Sequence, residues 1–354
     1  MPMQEARFRI LSVDGGGIRG LVPALVLLEL EQRLEELTGE KRPLSDYFHL
    51  FAGTSTGGLI SLGLTAPDPD NPDQPRMDGE RLVSLYRDRG PTIFPPRFRL
   101  LRILRGYLFP KWSNRGLVRA VEEDIGPAPL SSALRDLVIV AYDMTDHKPR
   151  FFKRWTAREA DEPDPTMGDA AMATSSAPTY LPPWPLDGKA LVDGGVFAAN
   201  PTVAAIAEAL KRQTDEPARL LPHELFVVSL GTGFYKAQFP PRTLRSWGSL
   251  AWIKPRGSEP ALMRAMLDGQ TASADQWAHM ILNHEPGDPP PSRGESGHGP
   301  RYFRLESELA TDFEMDDARR ETLDGLTKAA GELITAQADD LETIAKRLAA
   351  AGPV

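Results

Sequence analysis

Short apolar runs alternate with longer stretches of helical periodicity along nearly the whole chain. Phe8, Ile10, Leu11 and Val13 read as a buried strand, and similar runs predict strands near 48–53, 137–142, 189–192 and 225–230. Leu21 to Leu28 is wholly apolar; Leu27, Leu30, Leu34 and Leu37 then keep helical spacing, with Glu29, Glu31, Glu35 and Glu36 on other faces. This places a helix at 20–37. Further helices are expected near 56–64, 79–88, 114–123, 167–175, 201–211, 259–282 and 315–349. The last carries one apolar stripe of Leu323, Leu326, Ala330 and Leu333, continued by Leu341, Ala345 and Leu348. Strands alternating with helices predict a three-layer α/β/α sandwich around a central, mostly parallel sheet. Three loops rich in proline and acidic residues interrupt the scheme, at 67–79, 161–168 and about 284–300.

Two glycine-rich turns fall where predicted strands end. Gly53-Thr54-Ser55-Thr56-Gly57 follows an apolar run, and Gly-x-Ser-x-Gly suits a sharp strand-to-helix turn that exposes the serine hydroxyl. Asp14-Gly15-Gly16-Gly17 lies between the first strand and the first helix. Backbone N–H groups at such a turn attract negative charge. That charge is either a phosphate or the oxyanion of an acyl-transfer intermediate. The phosphate reading has little to stand on, because no Gly-x-x-x-x-Gly-Lys-Ser/Thr occurs and Gly-Gly-Gly-Ile-Arg-Gly fits dinucleotide spacing poorly. A third turn, Asp193-Gly194-Gly195, follows a short strand and offers a carboxylate that could deprotonate a serine directly. A Ser-His-Asp triad needs a histidine. None of His49, His147, His223, His279, His284 and His298 sits in a segment built around it, so a Ser–Asp pair is the more economical arrangement.

Taken in order, Asp14 to Gly20, Gly53 to Gly57 and Asp193 to Gly195 resemble the patatin-like phospholipases. Ala173 to Pro183, Val227 to Gly233, Tyr302 to Leu305 and a final helix beginning near Met315 are similar to that family too, so the resemblance spans roughly residues 7 to 345. It implies a single patatin-like domain over 7–349 and a serine lipid acyl hydrolase of phospholipase A type, with Ser55 as nucleophile and Asp193 as base. It further implies that the N–H groups of Gly15, Gly16 and Gly17 form the oxyanion hole and that Arg19 supports the loop. Gly195 stands where many members carry alanine. No metal or other cofactor is expected, since no His/Cys ligand cluster or calcium loop is evident. Some bacterial members of the family are antiphage effectors switched on by cyclic oligonucleotides, which adds such an activator as an alternative. A non-enzymatic storage protein on the same fold is opposed by the intact Ser55, Asp193 and glycine loop.

Charge refines the expected partners. The chain carries a net charge of −8, a hydrophobic fraction of 41% and no cysteine, which suits a globular enzyme without disulfides. Yet Arg89 to Val121 contains no Asp or Glu against eight basic residues. Within this insertion (about 89–121), Arg99, Arg102 and Arg105 share helical spacing among leucines, with Trp112 nearby. Such a segment either contacts a membrane or other anion through these residues, or packs its arginines on the acidic body. Leu225 to Ser258 is also acid-free, with Trp247 and Trp252 beside Arg242, Arg245 and Lys254. It reads as an ordinary surface loop, a second membrane-facing loop, or a site for an anionic regulator. The N-terminus lacks an apolar signal core, and no run of about 18 apolar residues occurs. The expectation is a cytoplasmic protein in peripheral contact with membranes. Its partner is phospholipid or membrane-surface lipid rather than a nucleic-acid polymer, with self-association left open.

Overall fold

The computed structural model describes residues 7–95, 109–211, 220–256, 259–283 and 301–354. Arg99, Arg102 and Arg105, and the loop at 284–300, lie outside the described residues. Seven strands follow one another across the central sheet in the order β8-β7-β1-β2-β3-β6-β5. They are β1 (Phe8–Val13), β2 (Leu50–Thr54), β3 (Asp136–Asp143), β5 (Trp184–Leu186), β6 (Lys189–Asp193), β7 (Leu225–Leu230) and β8 (Tyr302–Leu305). An eighth, β4 (Lys148–Lys153), pairs antiparallel with β3. The pairs from β8 through β3 are all parallel; β6 and β5 join in antiparallel sense.

Strand alternation divides the apolar residues between two cores, because successive side chains point to opposite sheet faces. In β3, Leu137, Ile139 and Ala141 enter one core, and Val138 and Val140 the other. In β7, Phe226, Val228 and Leu230 join the first, and Leu225 and Val227 the second. The first core is covered by α1 (Leu21–Thr38), α2 (Thr56–Gly63), α4 (Arg115–Asp124), α5 (Met167–Ser175), α8 (Arg320–Ala336) and α9 (Ala338–Ala351), while α3 (Gly79–Ser84) packs beside α1. The second lies under α6 (Thr202–Lys211) and α7 (Ala261–Leu282). Sheet and two helical layers make the α/β/α sandwich that the element order predicts.

The predicted strands all form, but β4, β5 and β8 are additional. Lys-Pro-Arg-Phe-Phe-Lys and Trp-Pro-Leu are half exposed and carry proline at the sheet margin, so neither shows a buried run. Leu37 is exposed in the last turn of α1, which Gly39 closes in the left-handed conformation at φ 73°. The predicted 315–349 helix is two helices that bend at Gln337, and both pack on α1. No described helix is long and apolar enough to cross a membrane.

Candidate active site

The site assembles because two strands end head to head on a third. β2 runs parallel to β3 and leaves it at the pair Thr54–Val140. β6 runs antiparallel and leaves it at the next register position, Asp193–Ala141. Since β4 occupies the other edge of β3, β2 and β6 share one edge and their C-terminal ends abut. Ser55 follows the end of β2 and Asp193 is the end of β6, so the topology itself brings them together.

Ser55 sits at φ 54° and ψ −121°, a conformation an L-residue adopts at a cost of about 1–3 kcal/mol. The surroundings enforce it. A Cβ at Gly53 would overlap the Gly57 carbonyl, and one at Gly57 would overlap the Val13 carbonyl. The Ser55 N–H donates to Thr174 Oγ1 at 2.9 Å, and that hydroxyl donates to the Val140 carbonyl at 2.5 Å. The turn thus holds the serine at the N-terminus of α2.

Asp193 is buried, and its Oδ1 accepts the Gly195 N–H at 2.7 Å. Burial raises its pKa to about 6, while hydrogen bonds from the Ser55 hydroxyl and the Gly195 amide act in the opposite direction. A carboxylate held near 6 accepts a proton more readily than an ordinary one and still ionises at neutral pH. Gly194 cannot carry a Cβ, which would strike the Val140 carbonyl. At Gly195 a Cβ would sit 3.1 Å from Asp193 Oδ1, a tight contact. Among the described residues no histidine lines the cavity around Ser55. His49 is instead packed: it stacks on Phe8 at 4.8 Å, its Nδ1 accepts the Arg9 N–H at 3.0 Å, and burial pushes its pKa down to about 4.

The glycine loop lies directly over the serine; a Cβ at Gly15 would be 3.4 Å from that of Ser55. One expectation is corrected here. The Gly15 N–H donates to the Ala199 carbonyl at 2.9 Å, so it is already engaged as a donor. Among the described residues the Gly16 and Gly17 amides have no such acceptor. Gly17, at φ 59°, takes the left-handed conformation, and its missing Cβ leaves room for the Met315 carbonyl, which accepts from Ile18 N–H at 2.8 Å. Thr232 Oγ1 donates to the Gly15 carbonyl at 2.8 Å, and the Arg19 Nε donates to the Gly16 carbonyl at 3.4 Å.

Beneath the loop, Arg304 grips Asp14 with both arms, at 3.0 and 2.6 Å, and also donates to Ser229 Oγ at 2.8 Å. Glu306 lies 3.2 Å from the same guanidinium. Burial pushes Asp14 up and Arg304 pulls it back down. Thr174, Ala199, Thr232, Arg304 and Met315 escaped sequence reasoning as parts of the site. Thr174, Thr232 and Met315 fall in segments that resemble the family, but only Arg304 carries a physical signal of its role: an arginine inside the apolar run Tyr302-Phe303-Arg304-Leu305 signals a buried carboxylate partner.

Ser55, Asp193 and the loop open into a cavity of about 480 Å³ whose walls are chiefly apolar, among them Leu59, Leu85, Ile93, Leu117, Met263 and Leu267. An apolar chain fits such a wall, and the paired serine and carboxylate at its base can carry out acyl transfer. The basic insertion does not present Trp112 outward. The residue is 8% exposed, its ring packs edge-on against Phe94 at 5.6 Å, and Nε1 donates to Asp316 at 2.7 Å. An indole already bound to a buried carboxylate is not a membrane or anion contact, which corrects that expectation. Lys111 meets the same Asp316 at 2.5 Å, and Arg89 meets Glu123 at 2.6 Å. The described ends of the insertion are therefore tied to acids of the body.

Ser55, Asp193 and the glycine loop thus meet at the foot of one apolar cavity on an α/β/α scaffold, and known proteins resemble this chain. A family model described as "Patatin-like phospholipase" matches residues 11–206, more than half of the chain. Patatin-like protein 2 of Arabidopsis thaliana is 33% identical over 92% of this chain and 82% of its own length. Patatin-like protein 3 of the same plant is 34% identical over 72% of this chain and 65% of its own. Patatin-like protein 2 of Oryza sativa subsp. indica is 31% identical over 74% and 70%. The chain belongs to the patatin-like phospholipase family, whose activity in general is lipid acyl hydrolysis. The matched span holds the glycine loop, Ser55 and Asp193; Thr232, Arg304 and Met315, which hold the loop in place, lie beyond it.

Proposed function

We propose that this chain cleaves carboxylic esters of membrane phospholipids as a phospholipase A, through a Ser55–Asp193 dyad. The observation that carries the reading is the strained Ser55 beside a buried, proton-accepting Asp193, under a glycine loop and at the foot of an apolar cavity. Asp193 takes the Ser55 proton as Oγ attacks the ester carbonyl carbon. The carbonyl electrons move onto oxygen, and the amides of Gly16 and Gly17 receive that oxyanion. Collapse breaks the bond to the leaving alcohol, which takes the proton from Asp193. Water then attacks the acyl-serine, again giving its proton to Asp193, and the fatty acid departs as Ser55 regains a proton.

A fluorophosphonate probe followed by peptide mapping tests this directly: label is expected on Ser55 and is lost in Asp193→Asn. Label on another serine would sink the dyad. A rate that appears only with an added cyclic oligonucleotide would assign the chain to activator-dependent effectors instead.

Two further results are expected. Because Asp193 must be ionised to accept a proton and its pKa is raised to about 6, kcat/KM falls about tenfold per pH unit below 6 and levels off above it. A profile level from pH 5 to 7 would show that another group is the base. Gly16→Ala forces a Cβ into Thr232, moves the loop and lowers kcat by about 10²–10³ with a smaller change in KM. A kcat within twofold of the parent would remove Gly16 from the oxyanion site.

A further inference from the structure

The outward side of α7 is built the wrong way round for water. Its exposed residues are Leu262, Ala265, Met266, Gly269, Gln276, Trp277, Met280 and Ile281, without one charge over a 22-residue helix. Trp277 is 56% exposed and Met280 48%. The charged residues of the helix lie off this side: Arg264 is buried against Asp312 at 2.8 Å, Asp275 is buried under the Tyr302 hydroxyl at 2.6 Å, and Asp268 is half-buried in the wall of the Ser55 cavity. The short helix Ser249–Ile253 packs against α7 and adds Leu250, 77% exposed, and Ile253 to the same surface. Single exposed apolar residues need no explanation, but an uncharged stripe of this length marks a surface that something covers.

We propose that this stripe is the face on which the protein docks to an anionic lipid bilayer. Three observations select that occupant, and the inference rests on the phospholipase reading above. Ile253, Leu262 and Met266 belong both to the exposed stripe and to the wall of the Ser55 cavity, so whatever covers the stripe covers the cavity mouth. A bilayer there delivers acyl chains into an apolar cavity, whereas a second copy of the chain would stopper it. Arg242, Arg245 and Lys254 are exposed in the segment that leads into the stripe, and that segment contains no acid from Leu225 to Ser258. Apolar side chains that enter the acyl boundary beside cations that meet the headgroups are the composition of an interfacial helix surface. The segment is braced by its own aromatics, with Trp247 edge-on to Trp252 at 5.3 Å and to Phe239 at 5.4 Å. The docking face is thus formed by residues within 242–254 and 262–281 and not by Trp112 of the basic insertion.

The test is flotation of the full chain with ether-linked phosphatidylcholine–phosphatidylglycerol vesicles, which offer no ester to cleave, alongside hydrolysis of a soluble p-nitrophenyl ester. In the variant Leu250→Gln/Trp277→Gln/Met280→Gln, none of the substituted residues lines the cavity. Vesicle binding is expected to fall at least about tenfold while ester hydrolysis stays within about twofold of the parent. Vesicles of phosphatidylcholine alone, or high salt, are expected to weaken the parent's binding severalfold. Should the variant fail to fold, brominated lipid still reports on the parent: it quenches tryptophan emission, and Trp277→Phe removes a large share of that quenching. The proposal is overturned if the parent does not float, if the variant floats equally well, if neutral vesicles bind as tightly, or if the substitutions instead dissolve a dimer of the parent. If the parent docks through the stripe yet hydrolyses no ester, the docking surface stands and the phospholipase reading falls.

Discussion

Ser55→Ala is expected to lower ester hydrolysis by about 10⁴- to 10⁶-fold, the range in which loss of a serine nucleophile leaves only the oxyanion site and binding at work. The fold survives it. Alanine must still adopt φ 54°, so the strain of the elbow is retained, and the hydrogen bond lost is the one to Asp193. Without that hydroxyl, burial acts on Asp193 with less opposition and its pKa rises further. Ser55→Gly separates the two effects. It removes the nucleophile equally but relieves the positive φ, and is expected to unfold at higher denaturant, a gain of about 1 kcal/mol. Hydrolysis by Ser55→Ala above about a hundredth of the parent rate would overturn the nucleophile assignment. Equal stabilities for the alanine and glycine variants would show that the elbow stores no strain.

Arg304→Gln is expected to destabilise the chain by about 3–5 kcal/mol, read as a lower midpoint in urea, because it leaves the Asp14 carboxylate buried without its bidentate partner. Hydrolysis falls with it: Asp14 opens the glycine loop, and the loop then loses the anchor beneath it. Asp14→Asn/Arg304→Gln is expected to recover part of the stability, since the Asp14 carboxylate is gone and only Glu306 is left without the guanidinium, but not the activity. A loss below about 1 kcal/mol for the single variant would mean that Ser229, water or protonation of the carboxylate replaces the pair at little cost. Recovery of full activity in the double variant would show that the ion pair does not position the loop.

Much of the site was legible without the structure because local chemistry demands particular residues. Gly53 and Gly57 flank Ser55 since a Cβ at either would strike backbone. Asp193-Gly194-Gly195 reads as a turn since Gly194 has the Val140 carbonyl in its place. The donors of the loop were harder. Three consecutive glycines look equivalent in sequence, yet the Gly15 amide is taken by Ala199, a residue far along the chain. Trp112 looked like an interfacial aromatic because its partner Asp316 lies on the other side of the chain's order. The uncharged side of α7 is the reverse case: Leu262, Met266, Trp277 and Met280 have the spacing of a core-facing stripe, and only the packed structure turns them outward.

By itself, then, the sequence determined the alternation of strands and helices, the elbow at Ser55, the glycine loop and the carboxylate at Asp193, because each depends on residues within a few positions of one another. The tertiary structure alone decided that β2 and β6 meet end to end on β3, that Arg304, Thr232 and Met315 hold the loop, and which of its glycine amides are left without a backbone acceptor among the described residues. Those contacts reach across the chain as far as Ile18 to Met315. Their geometry follows from strand order and the packing of both helical layers, which no local pattern encodes.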